Sequence, residues 1–247
     1  MEILFSLLLG ALIGFSLATV GAGGAILAMP GLVAIFGLSA IPATTSSLII
    51  VGISAFTGAI MRRNSGLDIK LGIQFSLIGV LGTFLGTFLV KLFPESAIYS
   101  LFSLLMILSA ITTWRKKPIQ VMNENRRHPF TIFLVATGVG LLTGLLGIGG
   151  GFLIVPALIL FLKVPANLAV GTSLVAITTN TIFALIMRFE HWDEVPLAET
   201  LTVSLGGVVM AIAITPFAKK MPAIIVQKSF AVLLLALSSY LMWQAIN

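Results

Sequence analysis

Apolar residues in this chain occur in long runs that are separated by short polar stretches. About five runs fall in each half of the sequence, and most approach the roughly 20 residues that a helix needs to cross about 30 Å of hydrocarbon. This pattern predicts an all-α integral membrane protein. The runs cover about 3–20, 24–37, 43–61, 71–92 and 96–114, and then about 130–146, 150–162, 166–187, 200–217 and 223–244.

Two runs, 24–37 and 150–162, are too short to cross a membrane comfortably, and each directly follows a cluster of glycines. Runs of this length are typical of re-entrant segments or of halves of broken helices. The longest polar stretch, 115–129, predicts a cytoplasmic linker. We therefore expect one transmembrane domain built from repeat 1 (1–114) and repeat 2 (130–247), each with about five hydrophobic segments.

The two halves resemble each other at an offset of 126 residues. Gly21–Leu32 aligns with Gly147–Leu158, and six of the twelve aligned positions are identical, including three glycines and a proline. The same offset pairs two further dipeptides in each half. This register indicates an internal duplication. The further pairs are Ser47-Leu48 with Ser173-Leu174, and Met61-Arg62 with Met187-Arg188.

The charges of equivalent loops predict how the repeats are oriented. The loop after Met61 is basic, whereas the equivalent loop after Met187 is acidic. Because basic loops remain in the cytoplasm, the two loops should lie on opposite sides of the membrane. The repeats are then inverted, both termini are extracytoplasmic, and every lysine and arginine except Lys91 and Arg188 is cytoplasmic. We expect a multi-pass protein of the inner (plasma) membrane.

Composition supports the membrane assignment. Hydrophobic residues make up 58% of the chain and charged residues 9%, whereas soluble proteins carry about 25% charged residues. The absence of cysteine excludes disulfides, thiolate zinc sites and iron–sulfur clusters. The bases occur in short loops rather than on one face, so we expect a lipid bilayer and no nucleic acid as partner. Glu2 stands where a signal peptide has basic residues, which favours a retained first helix.

The glycine clusters are the first candidate site. Glycine allows positive φ and proline removes a backbone donor, so together they can break a helix and free N–H groups. Freed groups at the positive end of a half-helix can hold an anion, and paired breaks in inverted halves are typical of transporter sites. The alternative is close helix packing, which we expect at Gly10/Gly14, Gly82/Gly86 and Gly140/Gly144. The candidate substrate-binding residues are Gly21, Gly23, Gly24, Pro30, Gly147, Gly149, Gly150, Gly151 and Pro156.

Hydroxyl and amide side chains at matching positions form the second candidate set. Such neutral donors suit a partly dehydrated oxyanion, although serine and threonine also bond back to their own helix. The candidates are Thr45, Ser46, Ser47, Thr172, Ser173 and Asn180. Arg62 and Arg188 follow the third run of each half. They either collect anions at the two entrances or anchor helices by snorkelling.

Acidic and histidine residues are absent from the centres of the runs. Proton pumps and metal-cation transporters normally need such groups, so the pattern favours an anion. It shows no catalytic constellation, and we expect neither an enzyme, a metal site nor a cofactor.

The paired Gly-x-Gly-Gly motifs with a following proline, at 21–32 and 147–158, resemble those of the sulfite exporter TauE/SafE family. The resemblance extends over nearly the whole chain and includes the short basic linker. It implies a prokaryotic inner-membrane permease that exports sulfite, sulfonates or related sulfur-containing anions.

Together these features predict an exporter of a small anion that works by alternating access around one midplane site, formed where the two glycine–proline breaks meet. A passive anion channel and a permease for a different small organic anion remain alternatives. The oligomeric state is open, and a homo-oligomer is compatible with the sequence.

Overall fold

The computed structural model describes residues 2–21, 24–64, 66–89, 128–146 and 151–218, together with scattered residues of 100–114 and 220–242. These described residues form helices and connecting loops and contain no strand. The first half holds α1 (Glu2–Val20), α2 (Gly24–Phe36), α3 (Ala40–Arg62) and α4 (Ile69–Leu89). The second holds α5 (Pro129–Leu146), α6 (Gly151–Leu160), α7 (Ala166–Met187), a 3-10 helix (Phe189–Glu194) and α8 (Leu197–Ala218).

Five of the described helices, α1, α3, α4, α7 and α8, are long and apolar enough to cross a membrane. Their outer faces carry large hydrophobic side chains that the bundle leaves exposed. On α8, for example, Leu197, Leu201 and Leu205 recur every fourth residue, and each is more than half exposed. A helix that shows such a face to its surroundings suits lipid rather than water. The predicted all-helical membrane class is confirmed.

Two long helix pairs flank the bundle, α1 with α8 and α4 with α5. The backbones approach so closely that a Cβ has no room at four glycines. Gly10 and Gly14 lie against the backbone of α8, while Gly82 and Gly140 lie at the α4–α5 interface. Small residues allow this approach where lipid provides no hydrophobic drive between helices. The packing role predicted for these four glycines is confirmed.

The central pair, α3 and α7, runs antiparallel. A Cβ at Gly58 would lie 3.0 Å from Leu174, and one at Gly52 would lie 2.8 Å from the Thr181 hydroxyl. Residue numbers therefore fall along α3 as they rise along α7. Helix α3 also packs on α1, α2 and α8, and α7 on α4 and α6, so both helices connect the two halves of the bundle.

The short helices α2 and α6 begin at Gly24 and Gly151 and contain 13 and 10 residues. At 1.5 Å per residue they are about 20 and 15 Å long, less than the hydrocarbon thickness. The two helices contact each other. Pro30 and Pro156 both fall inside these helices. Gly23, Gly147, Gly149 and Gly150 lie outside the described residues, as does most of the linker.

The last predicted run of each half is described only in part. The Ser103 hydroxyl donates a 3.0 Å hydrogen bond to the Ser238 carbonyl oxygen. The Lys228 ammonium lies 5.5 Å from the centre of the Trp114 ring. The described residues of these two runs are therefore in contact, and their pairing shows that the two runs have opposite directions.

Candidate anion-binding region

Gly21 follows the last residue of α1 and has a φ of +79°, which glycine adopts without strain. Its N–H donates to the Leu17 carbonyl oxygen at 2.9 Å. Its own carbonyl oxygen accepts a 2.8 Å hydrogen bond from the Ser173 hydroxyl. A Cβ at this position would lie 2.8 Å from the Val170 Cα. Both the conformation and the space at the end of α1 thus require glycine.

The Gly21 turn lies level with the C-terminal third of α3, because Leu174, the residue after Ser173, packs on Gly58. On the same part of α7, the Thr172 hydroxyl accepts a 3.0 Å hydrogen bond from the Asp68 N–H. The structure thus brings together Gly21, Thr172 and Ser173, three of the predicted site residues, beside the loop that precedes α4.

Asp68 caps the N-terminus of α4. Its carboxylate accepts a 2.8 Å hydrogen bond from the Leu71 N–H, as an N-cap residue does. The loop between α3 and α4 is therefore held at two points, by this cap and by Thr172 of the other half.

The two predicted entrance arginines have different surroundings. The Arg62 side chain is 1% exposed, and its Nη2 donates a 2.8 Å hydrogen bond to the Ala18 carbonyl oxygen. Arg188, at the equivalent position after α7, is only partly buried. That partial burial lowers the pKa of Arg188 from its ordinary value. The Arg62 side chain is therefore enclosed, whereas part of the Arg188 side chain is exposed.

The hydroxyls of the first predicted cluster mostly bond within their own helix. Thr45 donates to the Ile41 carbonyl oxygen at 3.0 Å, and Ser47 to that of Thr44 at 2.9 Å. Ser46 is fully buried and its hydroxyl has no hydrogen-bond partner. This cluster occupies the N-terminal third of α3, at the opposite end from Arg62. Only Ser46 has a hydroxyl that the helix leaves available.

Further polar side chains lie between the long helices. The Asn180 side-chain oxygen accepts a hydrogen bond from the Ser76 hydroxyl of α4, and Ser54 of α3 is fully buried with no partner for its hydroxyl. Neither serine was predicted from the sequence. Ser54 could have been found, because it pairs with Asn180 at the 126-residue offset. Ser76, a lone hydroxyl in an apolar run, carries no such signal.

The described residues contain no group of three histidine or acidic side chains placed to hold a metal ion. The buried polar side chains among them are serines, threonines and Arg62, and Asn180 is partly buried. Hydroxyl, amide and guanidinium N–H and O–H donors suit an anionic oxygen.

Comparison with known proteins identifies the chain's relatives. The profile of the sulfite exporter TauE/SafE family matches residues 6–241, nearly the entire sequence. The chain belongs to this family. Membership confirms the resemblance carried by the paired glycine motifs and places the protein among membrane transporters.

Individual relatives of this TauE/SafE family member support the same class. One from Xylella fastidiosa (strain Temecula1) is 30% identical over 246 residues, which covers 96% of this chain and 93% of the relative. Others come from Methanocaldococcus jannaschii, 31% identical over 73% of this chain and 70% of the relative, and Bacillus subtilis, 26% identical over 78% and 81%. All three are named as probable membrane transporter proteins. No solved structure matches this TauE/SafE chain.

Proposed function

We propose that this protein exports a small sulfur-containing anion, such as sulfite or an organosulfonate, across the plasma membrane by alternating access. The description of the family as sulfite exporters supports a sulfur oxyanion as the substrate. The names of the relatives support a role in membrane transport. The polar groups of the bundle are donors of the kind that bind anions.

The observation that carries the mechanism is the antiparallel contact of α3 and α7. These helices are equivalent at the 126-residue offset, so in an inverted repeat they must run in opposite directions. The other helix pairs agree with a two-fold relation between the halves. At the same offset α1 corresponds to α5 and α4 to α8, so the α1–α8 pair corresponds to the α5–α4 pair. The contacts of Ser103 with Ser238 and of Trp114 with Lys228 agree as well. Inverted halves can rock around a shared site and open it to each side in turn.

Loop charges support the direction of insertion. Because α3 and α7 are antiparallel, the basic loop after Arg62 and the acidic 3-10 helix Phe189–Glu194 belong to opposite ends of the bundle. The positive-inside rule then assigns the loop after Arg62 to the cytoplasm and both termini to the outside.

The proposed substrate path runs past the two half-helices. Helices α2 and α6 start at glycines and contact each other. The N-terminus of each carries a positive partial charge that favours an anion. The inside-negative potential adds about 2.3 kcal/mol per charge for each 100 mV, so an anion can leave the cell without a coupled ion.

Voltage-driven sulfite efflux from proteoliposomes tests this proposal. Wild-type protein should carry saturable efflux when the interior is negative, while Gly149→Leu/Gly150→Leu should abolish it, because large side chains would fill the second glycine cluster. Gly138→Leu serves as the control, since Gly138 on α5 has no neighbour within 4 Å of a Cβ and should retain flux. Absence of sulfite flux in wild type would refute the proposed substrate and lead to a wider anion screen.

The alternative, a passive anion channel, makes a different prediction for the same vesicles. A channel conducts without saturating at moderate substrate concentration and passes many ions per opening, whereas a carrier moves one substrate per cycle. Initial efflux rates over a range of sulfite concentrations separate the two.

A further inference from the structure

Arg62 is among the largest fully buried side chains of the described structure, with 1% of its surface exposed. One hydrogen bond, from Nη2 to the Ala18 carbonyl oxygen, holds it at 2.8 Å. Nε and Nη1 have no hydrogen-bond partner among the described residues. A guanidinium carries five N–H donors, so the one on Nε and the two on Nη1 are left unsatisfied. A buried cation in this state is costly unless something else accepts from it.

A snorkelling anchor would not lie in this position. Long basic side chains at the ends of membrane helices normally extend their charged heads to water. The adjacent residue Arg63 does so and is exposed. Arg62 instead turns inward against the last turn of α1, although it stands at the very end of α3.

The surroundings of Arg62 orient its charge but do not neutralise it. Ala18 lies in the last turn of α1, where carbonyl oxygens lack helical partners and carry partial negative charge. Three residues later comes the Gly21 turn, which Ser173 ties to α7. The guanidinium is thus fixed by its Nη2 beside a glycine turn, with its other nitrogens free to bind.

We propose that Arg62 is a ligand of a small oxyanion, which accepts from one of the unpaired guanidinium N–H groups, on Nε or on Nη1, at a buried site beside the C-terminal end of α1. The inference rests on the proposed export function and assigns the substrate a first binding group at the cytoplasmic end of α3. The site is closed in this structure, so an anion enters only after a movement that opens the bundle at this end.

The second half does not reproduce this site. Arg188, the equivalent residue, is only partly buried, and water screens the attraction between a partly exposed cation and an anion. An exporter benefits from such asymmetry, because an anion that binds tightly at the cytoplasmic end and weakly at the other end is released outside.

The test measures binding separately from transport. Purified protein in dodecyl maltoside is titrated with sodium sulfite at constant ionic strength, and the unfolding temperature is followed, since a ligand that binds only folded protein raises it. Wild type should show a saturable rise. Arg62→Met should show none, and Arg62→Lys, which keeps the charge but loses the planar donors, should need about tenfold more sulfite or higher.

Two comparison variants and one baseline separate binding from a structural role. Arg63→Gln removes a neighbouring charge and should titrate like wild type, and Arg188→Gln should shift the midpoint less than Arg62→Lys does. Without sulfite, Arg62→Met should unfold at the wild-type temperature or above it, because an unpaired buried charge has been removed. A lower unfolding temperature in Arg62→Met with an intact sulfite response overturns the proposal. If Arg62→Met does not fold, Arg62→Lys carries the same comparison.

The remaining outcomes identify the occupant. If phosphate, but neither sulfite nor taurine, stabilises the protein in an Arg62-dependent manner, the binding site at Arg62 is supported and the sulfur-containing substrate assigned under the proposed function is refuted. A lipid phosphate offers the same oxygens, so native mass spectrometry compares lipid retention. Phospholipid that wild type retains against sulfite and Arg62→Met releases overturns the proposal in favour of a lipid site, as does a wild type that responds to none of these anions. Efflux assays on the same preparations report the proposed function independently.

Discussion

The Ser173 hydroxyl donates a 2.8 Å hydrogen bond to the carbonyl oxygen of Gly21, which lies 152 residues earlier in the chain. This bond connects the left-handed turn at the end of α1 to the N-terminal third of α7. It thereby joins the glycine cluster of the first half to the hydroxyl cluster of the second half. A movement that opens the bundle at this end must either break the bond or move both residues together.

Ser173→Ala should destabilise the protein, because the buried Gly21 carbonyl oxygen loses its side-chain partner. Hydrogen bonds between membrane helices contribute about 0.6 kcal/mol on average and up to about 1.7, and we expect a loss in this range. Ser204→Ala is the matched control. Ser204 is also buried and bonds to the Thr200 carbonyl oxygen of its own helix, whereas the Ser173 hydroxyl lies 2.8 Å both from the Val170 carbonyl oxygen of its own helix and from that of Gly21. Reversible unfolding in mixed micelles measures both, and equal losses would contradict a special role for the bond.

Gly14→Ala should destabilise the α1–α8 pair, because the backbone of Gly207 occupies the place of the new methyl group. Overpacking of this kind typically costs about 1–3 kcal/mol. Gly138→Ala, also within a helix, should instead stabilise by about 0.5–1 kcal/mol, since nothing lies within 4 Å of its Cβ. Thermal unfolding of the two variants in the same detergent should show a lower unfolding temperature for Gly14→Ala and a higher one for Gly138→Ala. A similar loss of stability in both variants would mean that the close contact with Gly207 does not account for the effect at Gly14.

Asn180 and Ser76 should be energetically coupled, because the Asn180 oxygen accepts from the Ser76 hydroxyl. A double-mutant cycle with Asn180→Ala and Ser76→Ala should give an interaction energy of about 0.6–1.7 kcal/mol. Pairing Ser76→Ala with Thr215→Ala provides the reference, as the Thr215 hydroxyl bonds within α8. Additive effects in the first cycle would show that the contact is not formed in the folded protein in solution.

Single cysteines introduced at Asn64 and Asp193 should react from opposite sides of the membrane. Both positions are exposed and follow equivalent helices, and the chain has no cysteine of its own. In intact cells a membrane-impermeant maleimide should label Asp193→Cys, and Asn64→Cys only after permeabilisation. Labelling of both from one side would refute the inverted repeat. The reverse pattern would keep the inversion and reverse the direction of insertion.

Helix positions were largely predictable because membrane spans are set by local composition. The predicted run 166–187 coincides with α7, and the short run 24–37 ends one residue after α2. Such runs need only be apolar, of the right length and flanked by polar residues. The 3-10 helix Phe189–Glu194 was not predicted, since so short a polar segment carries no periodic signal.

The packing partners of the glycines were not predictable in the same way. Gly14 and Gly140 were recognised as packing residues, but their partners Gly207 and Gly79 lie on helices that spacing alone cannot pair. The candidate site was predicted only in part for the same reason. Ser173 was singled out, whereas Ser54 and Ser76 acquire their positions from neighbouring helices.

The sequence by itself determined the membrane class, most span positions, the match between the halves at an offset of 126 residues and the opposite charges of the two loops at matching positions, because each of these depends on residues close together or aligned at one offset. Tertiary structure decided how the two equivalent arginines differ. Arg62 and Arg188 occupy the same place in the repeat, yet only Arg62 is enclosed and bonded to Ala18 of α1. Burial depends on which helices pack around a side chain, and no alignment of the two halves contains that information.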